Sequence, residues 1–301
     1  MVGPEVQAYE PFYGPRWASV RAAMLEWRRS IFSRTHNLGE TIMRTGSRLL
    51  AAMFLLLASA AAPLTAEEPP RVLFLIGESE YETAETLPAF AKAELTGVAR
   101  CEFLHASADD GNSFPGVEEA LGRTDVLFVS VRRRTPPAAQ LKAIRAFVES
   151  GKPVVGIRTA SHAFVLRNGQ APPEGHADWP ELDSDVFGGN YTGHHGTPKP
   201  EGPHVWVAVV GEHALTKNLP AARFESTGSL YQVSPLAEGS EVLLRAAIDG
   251  VEMDEPAAWL RTTRHGGRAF YTSLGHRGDF EAPAFRELLK RGILWAAGKD
   301  S

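Results

Sequence analysis

Short apolar runs alternate with amphipathic segments between Arg71 and Ile157. Each run is continuous and short, which is typical of a strand buried on both faces. The predicted strands cover residues 71–77, 98–105, 125–131 and 153–157. Helical spacing of apolar positions predicts helices over residues 86–95, 117–121 and 136–150. Strands separated by such helices indicate βαβ crossovers, and hence an α/β fold built on a mostly parallel, doubly wound sheet.

The second half of the chain has a less regular pattern. Residues 163–203 form a polar stretch rich in Gly, Pro, His and Asp, which has the length of a functional binding loop rather than of a plain connector. Further strands are predicted at residues 205–210, 241–245, 257–261 and 268–271, before an amphipathic helix at 281–297. Because no linker interrupts this pattern, residues 67–301 are predicted to form one α/β domain.

An export signal is predicted near the N-terminus. Arg44 and Arg48 precede an apolar run over residues 49–62, and a small-residue cleavage site ends at Ala66. These are the parts of a secretory signal peptide, here residues 43–66. A retained anchor is the alternative, but spanning a bilayer needs about 20 apolar residues and this run is shorter. Residues 1–42 are then an over-extended gene start or a disordered or helical leader.

Export sets the expected location and partners. The mature chain is expected to be secreted or periplasmic, with no membrane span after cleavage. Its composition of 31 Lys and Arg against 36 Asp and Glu gives a net charge of −5, which argues against nucleic-acid binding because such proteins carry a basic excess. The single cysteine, Cys101, excludes an internal disulfide, a Cys-built zinc site and a CxxC redox centre.

Polar residues with catalytic chemistry follow several predicted strands. In an open α/β sheet, ligands bind beyond the carboxyl ends of the strands, so these residues are expected at one edge. Strand ends are exposed, which accounts for single charges there. Clustered arginines need an anion among them, because like charges repel. The candidates after the first, third, fourth and last of these strands are Glu78; Arg132 and Arg134; Arg158, Ser161 and His162; and His276.

Arg158 stands where a nucleophile is found in other folds. The strand that ends at Ile157 runs into a tight turn and a helix, which is typical of a nucleophile elbow. That elbow needs Ser or Cys, whereas a guanidinium stays protonated and cannot attack. Ser161 follows three residues later without the flanking glycines. We therefore do not expect acyl-enzyme chemistry at this turn.

The polar stretch contains side chains that bind metals. His194, His195 and Asp185 combine imidazoles with a carboxylate, which suits zinc or another divalent ion. Their spacing is not a recognised zinc motif, and a single histidine more often has a structural role. No cofactor is firmly indicated, and a metal-dependent hydrolase stays an alternative.

Several segments together resemble the ThuA-like, or trehalose-utilisation, family. They are GIRTASHAF (156–164), VFGGNYTGHHG (186–196), EPAAWLRTT (255–263) and GGRAFYTSLGHRGDF (266–280). The resemblance extends over residues 71–299 and implies a flavodoxin-like fold related to the class I glutamine amidotransferases. It implies that Arg158 replaces the amidotransferase cysteine, so that glutaminase activity is absent. It also implies a role in sugar metabolism, and members are often secreted.

The chain departs from this family at one place. Many members carry an acidic pair where this chain has Gly228 and Ser229. If relatives use that pair to bind a metal or to transfer protons, this chain has lost it or replaced it with Glu225 or Asp185.

Two main functions follow from the residues and the resemblance. The first is a secreted enzyme that acts on a small carbohydrate, either a glycoside or an oxidised sugar. His162 or His276 would be its acid/base and Glu78 a second proton-transfer group, while the arginines bind hydroxyls, a keto oxygen or a carboxylate. The aromatic residues expected to pack on the sugar ring are Tyr191, Tyr231 and Trp179. The second function is a non-catalytic sugar-binding or accessory protein; a weaker third is a module that docks a partner protein.

Overall fold

The structure is a computed structural model and describes residues 68–195, 204–251 and 254–299. The predicted leader and the predicted signal peptide lie outside these ranges. Within them, no helix combines the length and the apolar character needed to cross a membrane.

A mixed sheet is the centre of the described chain. The described strands are β1 (Arg71–Gly77), β2 (Arg100–His105), β3 (Val126–Val131), β4 (Val154–Ile157), β5 (Gly193–His195), β6 (Val205–Val209), β7 (Arg223–Ser226), β8 (Leu230–Gln232), β9 (Glu241–Ile248), β10 (Asp254–Thr262) and β11 (Arg268–Thr272). Nine of them form one sheet in the order β2-β1-β3-β4-β11-β10-β9-β6-β7. The pairs from β2 to β11 are parallel and the pairs from β11 to β7 are antiparallel.

Helices cover both faces of the parallel half. They are α1 (Thr83–Phe90), which continues as a π-helical turn over Ala91–Leu95, α2 (Val117–Gly122), α3 (Ala138–Glu149) and α4 (Pro283–Ala296). The apolar sides of α1 and α4 lie in one buried cluster, and those of α2 and α3 lie in another. The predicted α/β fold with helices on both faces is confirmed.

Strand β1 shows why the sheet needs both helical layers. Val72, Phe74 and Ile76 belong to the first cluster, while Leu73 and Leu75 belong to the second. Successive side chains of a strand point to opposite faces, so a continuous apolar run is stable only between two apolar layers.

The predicted element boundaries are close to the observed ones in the parallel half. The first helix begins at Thr83 rather than at residue 86, because the side chain of Glu78 accepts hydrogen bonds from the backbone of its first turn. The second strand begins at Arg100 rather than at residue 98. Three short strands, β5, β7 and β8, were not predicted, since each carries polar residues and lacks an apolar run.

Cys101 lies in β2 beside its parallel partner Val72. Its thiol has no disulfide partner, and burial raises the pKa of the thiol to about 11. It is therefore a small packing residue rather than a reactive group.

Candidate functional site

The chain turns sharply where β4 ends. Arg158 has a φ of +44°, in the left-handed region, and begins a short 3-10 helix over Arg158–His162. The hydroxyl of Tyr271, on the neighbouring β11, donates to the Arg158 carbonyl at 2.6 Å. This confirms the predicted elbow geometry, in which a strained turn is fixed by the surrounding structure.

The guanidinium of Arg158 is held inside the fold. Arg158 is only 2% exposed, and its Nη1 and Nη2 donate to the carbonyl oxygen of Ser273 at 3.1 Å and to Oγ of Ser229 at 3.0 Å. Its Cζ lies 4.3 Å from the ring centre of Tyr81 and 4.7 Å from that of Tyr231. These contacts leave little of Arg158 open to a ligand. It acts on the site through its charge, in contrast to the direct ligand contact expected from the sequence.

Gly228 provides the space for this guanidinium. A Cβ at this position would lie 2.6 Å from Nη1 of Arg158 and 3.0 Å from Cβ of His276. The acidic side chain that relatives are expected to carry here therefore does not fit together with this placement of Arg158.

We expect Gly228→Ala to destabilise the fold by about 1–3 kcal/mol, because the added carbon overpacks a buried contact. Thermal unfolding measures the change. Gly122→Ala is the matched control, since no atom lies within 4 Å of its added carbon. Unfolding of both variants at the wild-type temperature would contradict this packing argument.

His162 is a buried, neutral imidazole beside this turn. Its Nδ1 lies 3.1 Å from Oγ of Ser161, and that hydroxyl donates to the Arg158 carbonyl at 3.3 Å. When the Ser161 hydroxyl donates to the Arg158 carbonyl, Nδ1–H donates to Ser161 and Nε2 keeps a free lone pair. The ring stacks on Tyr191 at 4.4 Å between centres. Burial lowers the pKa of His162 to about 3, and the nearby charge of Arg133 adds to this.

His276 has the complementary arrangement. Its Nδ1 accepts from the backbone N–H of Gly278 at 3.4 Å and lies 2.7 Å from Oγ1 of Thr227. An accepting Nδ1 places the ring proton on Nε2. Burial, followed by the charge of Arg158, lowers the pKa of His276. His162 thus offers an acceptor nitrogen and His276 a donor, and the charge of Arg158 acts on both rings.

Asp279 holds the loops that carry His276 and Gly228. It is fully buried and accepts from the backbone N–H of Thr227 at 3.0 Å, of Gly275 at 2.8 Å and of His276 at 3.0 Å. The hydroxyl of Ser226 donates to it at 2.8 Å. One carboxylate therefore fixes the end of β7 against the segment after β11.

Glu78 has a structural task at the start of α1. Its Oε1 accepts from the backbone N–H of Thr83 at 2.8 Å and from the Thr83 hydroxyl at 2.5 Å. Its Oε2 accepts from the backbone N–H of Tyr81 at 2.8 Å. Both oxygens are thus engaged within the fold. Glu78 therefore binds the loop and the first residue of α1, in contrast to the proton transfer expected from the sequence.

A cleft of about 370 Å³ is lined in part by Arg133, whose backbone N–H donates to the His162 carbonyl oxygen at 3.1 Å. Its lining is Glu78, Ser79, Arg132, Arg133, Arg134, Leu166, Arg167 and Gln170. Arg132 pairs with Glu80 at 2.6 Å, and Nε of Arg134 donates to the carbonyl oxygen of Gly77 at 2.9 Å. The cleft therefore contains both predicted arginines together with two more.

The aromatic residues divide between the site and the core. Tyr191 is partly exposed and covers His162, so it suits contact with a ring. Tyr231 is 2% exposed and packs beneath Tyr191 and Arg158. Trp179 is equally buried and contacts Arg145 of α3. The sugar-stacking role predicted for Tyr231 and Trp179 does not agree with this burial.

Asp183 lies behind Tyr191 and supports it. Its Oδ2 accepts from the backbone N–H of Tyr191 at 2.8 Å, while its buried Oδ1 has no hydrogen-bond partner among the described atoms. Gly189 permits this approach, since a Cβ there would lie 2.6 Å from Oδ1. Burial raises the pKa of Asp183 to about 7.

The three residues considered as metal ligands have separate partners. Nε2 of His195 lies 3.3 Å from Glu255, Asp185 pairs with Arg264 at 3.3 Å, and His194 is exposed on β5. Among the described residues, no three His, Cys, Asp or Glu side chains gather as a metal site. Glu225, which was considered as a replacement acid, lies on β7 and pairs with His204.

Sequence reasoning missed five residues of this site. Arg133 lies inside the triple arginine, and Tyr81 and Asp279 lie in the strand-end segments, so their positions were signalled although their roles were not. Arg167 and Asp183 lie in the long polar stretch, where no periodicity indicates which side chains turn inward.

Comparison with known proteins places the chain among related sequences and folds. The family model described as ThuA, trehalose utilisation, matches residues 71–296. No curated protein matches the chain. A ThuA-like protein from Parabacteroides merdae has a similar structure, with 18% identity, a TM-score of 0.55, and coverage of 78% of this chain and 92% of that chain. A GMP synthase protein from Thermoplasma acidophilum matches with 11% identity and a TM-score of 0.44 over 76% and 97% of the two chains.

Proposed function

The chain belongs to the ThuA, or trehalose utilisation, family, and on that premise we propose that it is an enzyme that removes a proton from an oxidised sugar at His162. The observation that supports the proposal is the buried imidazole of His162, whose Nδ1 is engaged by Ser161 and whose carbonyl accepts from Arg133, a residue of the arginine-lined cleft. Family membership supports a carbohydrate as the substrate, and the geometry around His162 supports its role as the base.

The proton moves from a carbon next to a carbonyl group. Nε2 takes this proton, the C–H electron pair forms a double bond to the carbonyl carbon, and the carbonyl π pair moves to the oxygen, which gives an enolate. Return of the proton from Nε2–H to a carbon of the enolate gives an isomerised sugar and restores the base. The arginines of the cleft stabilise the negative charge that develops on that oxygen. His276, which carries its proton on Nε2, donates a hydrogen bond to the same substrate.

Binding of the substrate also makes His162 a better base. The charges of Arg133, Arg132, Arg158 and Arg167 contribute to the low pKa of His162. Burial is the larger cause of the low pKa, and a substrate with negative charge offsets only the part that comes from the arginines. A general base is most effective when its pKa lies near the working pH.

The same site argues against glutaminase activity. Arg158 stands at the elbow, and a guanidinium cannot act as the nucleophile of a glutaminase.

We also infer secretion to the periplasm or the medium, since residues 43–66 have the composition of a signal peptide.

We expect His162→Gln to lower kcat by about 100-fold or more, the range of general acid–base catalysis, while the Kd for the substrate changes little. The assay presents the full chain with a panel of keto sugars, uronates and glycosides, and follows products by mass spectrometry. His265→Gln is the matched control, because His265 is exposed and contacts Arg264 away from the cleft.

Undiminished turnover by the His162→Gln variant would overturn the assignment of the base. Sugar binding without turnover by the wild type would replace the proposal with the non-catalytic binding protein.

A further inference from the structure

The cleft beside His162 holds more positive than negative charge. Arg132, Arg133, Arg134 and Arg167 line it. Glu80 balances Arg132 through their ion pair. Four guanidiniums around one small cleft repel one another in the empty protein.

The other carboxylate of the cleft is not free to pair with an arginine. Glu78 directs its two oxygens to backbone N–H groups and to the Thr83 hydroxyl. Arg134 is fixed by its bond to the carbonyl oxygen of Gly77. The positive charge of the cleft that these contacts leave without a partner is therefore that of Arg133 and Arg167.

Arg133 and Arg167 have guanidiniums with weak or no protein contacts. Nη1 of Arg133 makes one long hydrogen bond, 3.4 Å, to the carbonyl oxygen of Val165. Arg167 is exposed at the rim, and its side chain has no hydrogen bond or ion pair with any described residue. Burial and the charges of Arg167 and Arg132 lower the pKa of Arg133, as expected for a cation that lacks an anion.

The backbone places Arg133 next to the proposed base. Its N–H donates to the carbonyl oxygen of His162 at 3.1 Å, and the residue is held in the left-handed region with a φ of +50°. Its charge acts on Tyr191 and Tyr231 as well as on Arg167. A group bound by Arg133 therefore lies in the same part of the molecule as Tyr191 and His162.

Resting on the proposed function, we propose that the substrate is an acidic sugar whose carboxylate or phosphate is bound by Arg133 and Arg167. Guanidinium groups bind both anions through paired, charge-assisted hydrogen bonds. The sugar ring then lies against Tyr191, with its reacting carbon toward Nε2 of His162. This assigns the substrate class, which the family membership leaves open.

Binding measurements on the full chain test this assignment. Isothermal titration compares glucuronate, glucose 6-phosphate and glucose at low and high salt. We expect one of the two anionic sugars to bind about tenfold or more tightly than glucose, since a hydrogen bond to a charged group contributes that much. The comparison of glucuronate with glucose 6-phosphate identifies the anion, and the preference should weaken with salt.

Variants connect the preference to the two arginines. Arg167→Gln and Arg133→Gln should each weaken binding of the anionic sugar about tenfold and leave glucose binding unchanged. Arg167 is exposed, so its variant tests the proposal even if Arg133→Gln fails to fold. Arg100→Gln is the control, because Arg100 begins β2 at the opposite edge of the sheet and pairs with Glu68.

The outcomes separate this inference from the proposed function. Equal affinity for glucose and for both anionic sugars, or an Arg167→Gln variant with unchanged affinity, overturns the acidic-sugar assignment. If a neutral keto sugar is nevertheless turned over through His162, the proposed function survives that result. If an anionic sugar binds through both arginines and is not turned over, the binding assignment stands and the enzyme assignment falls.

Discussion

Replacing Asp279 by alanine is expected to destabilise the protein by at least about 4 kcal/mol, and the folded state is then lost at moderate denaturant concentration. The carboxylate accepts from three backbone N–H groups, of Thr227, Gly275 and His276, and from the Ser226 hydroxyl. With the acceptor removed, the buried donors of Ser226 and Gly275 stay unsatisfied at about 1–3 kcal/mol each, and the part-buried N–H groups of Thr227 and His276 lose a charged acceptor, which costs about 1.5–3 kcal/mol each.

Urea unfolding followed by circular dichroism measures this loss. Asp125→Ala is the matched control, because Asp125 accepts a single exposed hydrogen bond from the backbone of Arg71. Its removal should cost no more than about 1.5 kcal/mol. Asp279→Asn retains one acceptor oxygen and should fall between the two. If Asp279→Ala is as stable as the control, Asp279 does not hold these loops.

A second large effect is a pair of opposite pH dependences of stability, from His162 and Asp183. The folded pKa of His162 is lowered from 6.5 to about 3, so unfolding takes up a proton and stability is lost as the pH falls below 6.5. The folded pKa of Asp183 is raised from 3.8 to about 7, so unfolding releases a proton and stability is lost as the pH rises from 3.8 through 7. The two contributions oppose each other over most of this interval.

Single substitutions should separate the two contributions. Relative to the wild type, Asp183→Asn should gain up to about 4 kcal/mol as the pH rises from 4 to 7. His162→Gln should gain up to about 5 kcal/mol relative to the wild type as the pH falls from 6.5 to 3. Urea unfolding at a series of pH values gives both difference curves. His265→Gln should give a flat one, and difference curves of the same slope for the two variants would exclude this account.

The parallel half of the fold was predictable from sequence because its signals are local. A continuous apolar run such as β3 needs cover on both faces, and an apolar stripe such as that of α3 can face only the sheet. The antiparallel half depends on pairing between distant segments. Short strands such as β7 and β8 are held by their neighbours, and Asp279 also bonds to the end of β7; neither strand carries an apolar run of its own.

The site was predictable only as far as strand ends determine position. The elbow at Arg158, the imidazoles of His162 and His276 and the arginine cluster follow from the parallel sheet. The hydrogen bonds and packing contacts that each side chain makes do not follow from it. Glu78 binds the first turn of α1, and Tyr231 lies under Tyr191. The pattern of apolar and polar residues does not indicate which residues these two side chains contact.

Neither the elbow nor the cysteine of this chain can supply a reactive thiol. The elbow carries a guanidinium, and the only thiol of the sequence, Cys101, stays protonated at neutral pH inside the β layer. Alkylating reagents and peroxides act on thiolates. The proton transfer that we propose at this sheet edge therefore has no thiol step that an oxidant or an alkylating reagent can block.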